Sequence, residues 1–324
     1  MRMIAILRAI RTRHYLLSFA LLGSVGLLMM KVAAGGPWNG FDVRDSLVPM
    51  AAIEHGGPPR DGIPTIDHPR FTTIADAGWL KDEDRVLGLE RNGVARAYPV
   101  AILNLHEIVN DTFGNEPVTV TYCPLCGTGI AFKSIVNGQK LRFGVSGLLY
   151  NSDVLLYDRE TESLWSQIMG KAVTGQYKGV ALQRIPMSHT SWQDWRKRFP
   201  DTKVLSRDTG ANRDYTRNPY QGYGDSRGVW FSVSNQSDEL HPKAWVVGVQ
   251  RGTHFKAYPF DELARSGGVV QERLGGEEII IRYDASSRSV TVTDNTGAEI
   301  PTISAYWFAW YAFHPETEIF RVDQ

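Results

Sequence analysis

The chain's two cysteines, Cys123 and Cys126, carry its clearest chemistry because they have a C-x-x-C spacing. They lie in residues 119–132, which read TVTYCPLCGTGIAF. Two thiols at this spacing can face the same side of a turn, where they can bind a metal ion or close a small disulfide. A thioredoxin-type pair would open a helix, whereas Gly127 and Gly129 predict a turn that leads into a strand. The spacing alone leaves a metal site, a redox pair and a structural disulfide open.

The residues before the cysteines predict the element that positions them. Val118, Val120 and Tyr122 alternate with polar residues, and Pro124 follows as a turn signal. A half-buried β-strand has this period of two. We therefore expect a strand that delivers Cys123 to a tight turn.

A second element is expected to bring a histidine to the same place. Asn92-Gly93 between two short apolar runs predicts a hairpin, and Pro99 can occupy the first position of a helix. The apolar spacing over residues 100–109 predicts an amphipathic helix. Elements adjacent in sequence are usually neighbours in space, so His106 and Glu107 are expected near the cysteine turn.

The chain contains an internal repeat. Residues 88–122 and residues 248–283 align over a shared Tyr-Pro pair, at 98–99 and 258–259. Each copy predicts a hairpin, a helix and a strand. The repeat predicts a fold built from two related halves.

The two copies differ at the residues that could do chemistry. His106 aligns with Ser266, and Cys123 aligns with Asp284. A residue needed only by the fold would be expected in both copies. The difference favours a site-specific role for His106, Cys123 and Cys126.

Composition limits the fold and function classes. The chain has 324 residues with 35 basic and 35 acidic side chains, so it has no broad positive surface for nucleic acid. Its 31 glycines, 16 prolines and 11% aromatic residues indicate an α+β fold, predominantly antiparallel β with short helices. It has no P-loop, G-x-G-x-x-G fingerprint or G-x-S-x-G elbow, which disfavours nucleotide binding and serine hydrolysis.

The N-terminus predicts export. An apolar run at residues 15–30 follows a basic segment and precedes small residues at 32–36; the basic residues are Arg2, Arg8, Arg11 and Arg13. Residues 1–36 are therefore expected to be a signal peptide or an uncleaved signal anchor. The run is short for a membrane span, which needs ~20 residues. We expect an extracytoplasmic protein, periplasmic or at the cell surface, either secreted or anchored to the membrane by an N-terminal transmembrane helix.

The remaining chain divides into two parts. Residues 37–84 are rich in Gly and Pro turns and are expected to wrap the domain as an irregular segment. The folded pattern fills residues 85–324, with repeat copies near 86–132 and 245–294. Within it, residues 212–238 have no period and predict a long loop that could act as a lid.

Several separate motifs resemble one family, the bacterial and archaeal DUF3179 domain of unknown function. They are HEIVND at 106–111, TYCPLCGT at 121–128, SGLLYNSD at 146–153, YDRETESLWSQ at 157–167 and FAWYAFHPETE at 308–318. The resemblance covers roughly residues 61–320. It implies that exported or membrane-anchored members are ordinary in this family. It marks the His, the C-x-x-C and the two polar motifs as signature positions but implies no known reaction. The family's preferred Trp before the His is Leu105 here.

The favoured hypothesis is a metal site. Cys123, Cys126 and His106 would bind zinc or copper, with a fourth position open or taken by a carboxylate such as Asp153. An open position would permit catalysis on a bound small molecule.

Further polar residues could support this chemistry. Glu107 or Asp111 could orient the imidazole by a hydrogen bond to the ring nitrogen that does not bind the metal. The candidates for catalytic residues are Asp153, Asp158 and Arg159, which lie in the two polar motifs.

Two other functions remain open at this stage. The first is an extracytoplasmic thiol-disulfide oxidoreductase that uses the C-x-x-C pair, with His106 as the base. The second is a non-catalytic binding module with a Cys123–Cys126 disulfide. The expected partner is a small molecule or an exported protein, with membrane contact through the N-terminal segment if it is uncleaved.

Overall fold

Short β-strands make up most of the regular structure. The computed structural model describes residues 37–322, so the expected signal or anchor in residues 1–36 lies outside the described residues. The strands are, in chain order, β1 (Ile53–His55), β2 (Phe71–Thr72), β3 (Arg85–Arg91), β4 (Val94–Pro99), β5 (Ile108–Phe113), β6 (Glu116–Cys123), β7 (Thr128–Lys133), β8 (Ile135–Val136), β9 (Gln139–Lys140), β10 (Phe143–Tyr150), β11 (Asp153–Asp158), β12 (Leu164–Ser166), β13 (Lys171–Ala172), β14 (Arg184–Ile185), β15 (Ser188–Ser191), β16 (Lys203–Leu205), β17 (Trp245–Arg251), β18 (His254–Pro259), β19 (Val269–Leu274), β20 (Glu277–Asp284), β21 (Ser289–Asp294), β22 (Ile303–Tyr306) and β23 (Glu318–Ile319).

Five sheets are arranged like the blades of a five-bladed propeller. Their strand orders are β1-β10-β11-β12-β13, β14-β7-β6-β5, β15-β3-β4-β16-β2, β22-β17-β18-β23 and β19-β20-β21, and β8 and β9 form a separate small hairpin. Pairing is antiparallel except where β16 joins β4 and β23 joins β18. The expectation of a mostly antiparallel β fold with few short helices is confirmed.

The helices are short and sit at sheet ends. They are α1 (Val100–Leu103), α2 (Trp192–Arg198), α3 (Phe260–Arg265) and α4 (Trp307–Phe313), and 3₁₀ turns cover Pro37–Gly40, Met50–Ala52 and Ala75–Ala77. Within residues 37–322, none of the helices has the length and apolar character needed to cross a membrane.

The two repeat copies have the same element order. The hairpin β3–β4, helix α1 and strands β5 and β6 correspond to the hairpin β17–β18, helix α3 and strands β19 and β20. The correspondence also extends past the aligned segments, because β15-β3-β4-β16 and β22-β17-β18-β23 have the same sheet order. In both copies a helix, α2 or α4, lies between the last two of these strands in sequence.

Matching contacts lie under the two helices. The indole Nε1 of Trp195 donates to Thr202 Oγ1 at 2.9 Å, and Trp310 Nε1 donates to Thr317 Oγ1 at 2.9 Å. The indole of Trp195 lies against Gly88, and that of Trp310 lies against Gly248. A β-carbon at either glycine would collide with the ring.

The helix expected over residues 100–109 is shorter in the structure. It ends at Leu103, and β5 already begins at Ile108. After Leu103 the chain tightens into turns, in which Leu105 N donates to Ile102 O and His106 N donates to Leu103 O. The φ of 59° at Glu107 then prevents any further right-handed helix. His106 therefore lies in a turn rather than on a helix face.

The segment 37–84 contributes to two sheets as well as wrapping the domain. β1 pairs with β10, and β2 pairs with β16. Residues 206–244, which include the expected loop at 212–238, contain no helix or strand. We call residues 206–244 the covering loop.

Candidate metal centre

A hairpin turn presents the two cysteines. β6 ends at Cys123, which pairs with Thr128 at the start of β7, as the strand–turn–strand prediction required. Gly127 has a φ of 66° and faces Trp245 so closely that a β-carbon would lie 2.8 Å from its ring. Only glycine satisfies both conditions. The turn buries Cys123 and Cys126 fully as free thiols.

A second turn brings a carboxylate to the thiols. Asn151 and Ser152 join β10 to β11 with φ values of 54° and 62°, which is the geometry of a tight two-residue hairpin loop. The carbonyl oxygen of Ser152 lies 3.8 Å from Cys123 Sγ and 3.4 Å from Cys126 Sγ. Asp153 follows, and its carboxylate and the two sulfurs have ligand atoms within 4.8 Å of one another.

The environment of this cluster suits a cation. Asp153 is fully buried; its Oδ2 accepts from Ile168 N at 3.0 Å, while Oδ1 has no hydrogen-bond partner within residues 37–322. Burial raises the pKa of Asp153 to about 7 and raises the pKa of both thiols. Buried anionic ligands without compensation are costly, and a bound metal ion would remove that cost. The residues present therefore fit a metal ion.

His106 is directed away from the cysteines. Its Nδ1 lies 2.6 Å from Pro64 O and its Nε2 lies 2.7 Å from Tyr215 OH. Burial lowers the pKa of its imidazole. Both ring nitrogens are thus engaged, one with the segment 37–84 and the other with the covering loop. The structure brings Asp153, rather than His106, to Cys123 and Cys126.

Glu107, the next residue, faces the site. It is only 7% exposed, and its carboxyl group has no hydrogen-bond partner in the described part of the chain. Burial, with a smaller contribution from Asp153, raises its pKa to about 8. Its place behind His106 as an orienting group is not observed, because the imidazole is held by other residues. Its carboxyl instead lines a cavity beside the cluster.

Asp111 belongs to a different site. Its carboxylate accepts hydrogen bonds from Arg96 and from Tyr98 OH. It lines a separate cavity of about 340 Å³ that contains neither cysteine. Its role is to hold two strands together.

Asp158 and Arg159 have structural partners. Asp158 accepts from the Trp165 indole at 2.8 Å and from the Thr161 N–H at 2.6 Å, which closes a turn. Arg159 forms an ion pair with Asp61 at 3.2 Å. Of the three catalytic candidates, only Asp153 lies at the cysteines.

The covering loop adds residues that no sequence pattern identified. Tyr220 and Tyr223 lie near the cysteines, and burial raises the pKa of both phenols. Glu107 and then Cys123 raise the pKa of Tyr220 further, and the two cysteines raise that of Tyr223. Ser234 N donates to Asn151 Oδ1 at 2.7 Å, which ties the loop to the Asp153 turn. The loop's aromatic composition was visible, but the absence of periodicity left its contacts undetermined.

The buried lysine of the covering loop was also missed. Lys243 Nζ donates to the carbonyl oxygens of Ser226 and Gly228 and lies 3.8 Å from the centroid of the Tyr223 ring. Burial lowers its pKa to about 8. These contacts hold the part of the loop that lies over Cys126.

Comparison with known proteins identifies a family. The model of the family described as "Protein of unknown function (DUF3179)" matches residues 60–317, which is most of the chain. The chain belongs to the DUF3179 family. No curated protein and no solved structure matches it. The cysteine turn, the Asp153 turn and the covering loop of this DUF3179 protein all lie within the matched residues.

Proposed function

We propose that this DUF3179 protein holds one zinc ion through Cys123, Cys126 and Asp153. The observation that carries the proposal is the convergence of two thiols and one carboxylate within 4.8 Å, with Asp153 Oδ1 buried and unpartnered among residues 37–322. Three protein ligands leave one coordination position for a small molecule, as in catalytic zinc sites. A zinc ion held by these three ligands would polarise a carbonyl group, or activate a water molecule, bound at the open position.

The donor set favours zinc over copper. Thiolates alone would suit either Cu(I) or Zn²⁺, but a carboxylate is a hard ligand that Cu(I) does not prefer. Zinc accepts sulfur and carboxylate oxygen together. Asp153 therefore favours zinc among the metals that the cysteines leave open.

Glu107 would supply the second chemical function. Its carboxyl group is near Asp153, is buried and is not held by another residue in the described range. Its pKa of about 8 keeps a proton available close to neutral pH. A carboxyl group with such a pKa beside an open metal position can act as a general acid or base on a bound small molecule.

The burial of the thiols argues against the redox alternative. Reactive cysteines are partly exposed and have a lowered pKa, because the thiolate is the nucleophile. Burial instead raises the pKa of Cys123 and Cys126, and the nearby Asp153 raises both further. With His106 held by Pro64 and Tyr215, no imidazole base lies at the pair within residues 37–322.

The N-terminal segment completes the proposal. We propose that the chain is exported from the cytoplasm, either as a secreted protein or anchored through residues 1–36, and that the zinc centre works outside the cytoplasm. Separation of the periplasmic, membrane and cytoplasmic fractions tests this; recovery of the chain only in the cytoplasm would contradict it.

Metal analysis of the full chain, purified without added metal, tests the centre. We expect about one equivalent of zinc, which is lost in Cys126→Ser and in Asp153→Asn. Ser287→Ala is the matched control, since Ser287 occupies the equivalent turn of the second repeat. His106→Gln should retain the zinc.

Two results would overturn the proposal. Loss of zinc in His106→Gln with retention in Asp153→Asn would return the centre to the ligand set expected from sequence. Absence of metal together with two thiols that appear only after reduction would establish a disulfide instead.

A further inference from the structure

A small cavity is lined by residues that flank the proposed zinc ligands in sequence. Its volume is about 180 Å³. Leu125, which lies between the two cysteines, forms part of one wall, and Val154, which follows Asp153, forms part of another. A molecule in the cavity would therefore contact sequence neighbours of the proposed ligands, although none of the ligands lines the cavity itself.

The lining restricts what can bind. It is mostly aliphatic and aromatic, and the covering loop contributes Tyr220, Trp230 and Phe231. An apolar cavity of roughly 150 Å³ accommodates a benzene molecule. The cavity thus has room for about one aromatic ring and little more.

Two residues bring polar groups to this lining, Glu107 with its carboxyl group and Tyr220 with its hydroxyl group. Glu107 lines the cavity, and its carboxyl group accepts no hydrogen bond from residues 37–322. A carboxyl group that faces an apolar cavity can accept a hydrogen bond from a ligand that donates one. Pockets of this kind use apolar walls for affinity and a few polar groups for orientation.

The backbone conformation of Glu107 favours a functional role for its side chain. Glu107 has a φ of 59°, a conformation that favours glycine, and the second repeat has Gly268 at the equivalent position with a φ of 82°. The first repeat keeps a side chain where the fold needs none. Backbone strain kept at a residue that lines a cavity favours a role in ligand contact over a purely structural one.

We infer that this cavity binds a mostly apolar molecule, about one aromatic ring in size, that donates one hydrogen bond to Glu107. The inference rests on the zinc centre proposed above, since it makes this molecule the substrate class of that centre. Trp230 is 56% exposed at the cavity edge, so the ligand enters past the covering loop.

Phenol and toluene test the inference because they share a shape and differ only in a hydroxyl in place of a methyl group. Their affinities are measured by ligand-observed NMR on the full chain, with and without zinc. In Glu107→Gly, which the backbone tolerates, the phenol-to-toluene affinity ratio should fall about tenfold. Glu107→Gln keeps an acceptor and should preserve the ratio.

A wall variant separates the apolar contribution from the polar one. Phe231→Ala removes an apolar surface without touching the acceptor, so it should weaken both probes by a similar factor and leave their ratio unchanged. Failure of either probe to bind, or an unchanged ratio in Glu107→Gly, would overturn the inference.

Failure of the zinc proposal is recognised separately. Probe binding in a protein that takes up no zinc would contradict the metal centre and support the cavity. Zinc uptake without probe binding would contradict the cavity alone.

Discussion

Glu107 and Gly268 hold equivalent backbone positions in the two repeats, both with left-handed φ. Glu107 N donates to Leu103 O at 2.8 Å, and Gly268 N donates to Leu263 O at 3.0 Å. The left-handed conformation costs a residue with a β-carbon roughly 1 kcal/mol, whereas glycine adopts it freely. The first repeat bears this cost and gains a buried carboxyl group beside the cysteine turn.

That carboxyl group should make stability depend on pH. Its pKa is about 8 in the folded protein against an ordinary value of 4.5, so between these values the folded state binds an extra proton. The unfolding free energy of the metal-free protein should therefore fall as pH rises from 4.5 to 8. Glu107→Gln should remove the part of this fall that comes from Glu107, at most about 5 kcal/mol, and leave the part that comes from Asp153, whose pKa is also raised, to about 7.

Urea titrations at pH 5, 6.5 and 8 measure this effect. Glu83→Gln, at an exposed glutamate, is the control and should leave the pH profile unchanged. A Glu107→Gln profile that falls as steeply as that of the unaltered protein would show that Glu107 is ionised in the fold.

The glycines under the two tryptophans should resist substitution equally. A β-carbon at Gly88 would lie 2.2 Å from Trp195 Cε3, and one at Gly248 would lie 2.2 Å from Trp310 Cε3. Gly88→Ala and Gly248→Ala should each lower the unfolding free energy by about 1–3 kcal/mol or more. Gly78→Ala, which meets no atom within 4 Å, is the control for denaturation by urea.

The two matching Trp–Thr hydrogen bonds should contribute different amounts to the free energy of unfolding. Thr202 is only 2% exposed, whereas Thr317 is partly exposed, so water can replace the lost acceptor only at the second site. Thr202→Val should cost about 1–3 kcal/mol by leaving the Trp195 indole unsatisfied. Thr317→Val should lower the unfolding free energy by less, as measured in the same thermal denaturation series. Equal losses in the two variants would show that burial of the threonine does not set the size of the effect.

Zinc should stabilise the fold through the proposed ligands. A ligand that binds only the folded state adds about 2.7 kcal/mol at 100 times its Kd, so added zinc should raise the melting temperature and a chelator should lower it. Asp153→Asn should abolish this shift. Asp158→Asn should melt at a lower temperature than the unaltered protein, because it weakens the contacts to Trp165 and Thr161, but should keep the zinc-dependent shift. A shift that survives in Asp153→Asn would place the metal elsewhere.

Local patterns determined much of the fold from sequence. The alternation that ends at Cys123, the Asn92-Gly93 turn and the glycine-rich turn after Cys126 are all short-range signals, and the structure has the strands and hairpins that they predict. The repeated segments also have the same order of elements. Such features depend on contacts between residues that are close in sequence, so the sequence specifies them directly.

Only the tertiary structure determined which residues lie together at the candidate site. Sequence adjacency placed His106 beside the cysteines, but α1 ends early and the left-handed Glu107 turns the chain, so the imidazole meets Pro64 and Tyr215 instead. Asp153 was one option among several carboxylates until the β10–β11 turn brought it to the thiols. The direction of a side chain after a helix end and the packing of one sheet's turn against another's are set by long-range contacts, which no local pattern records.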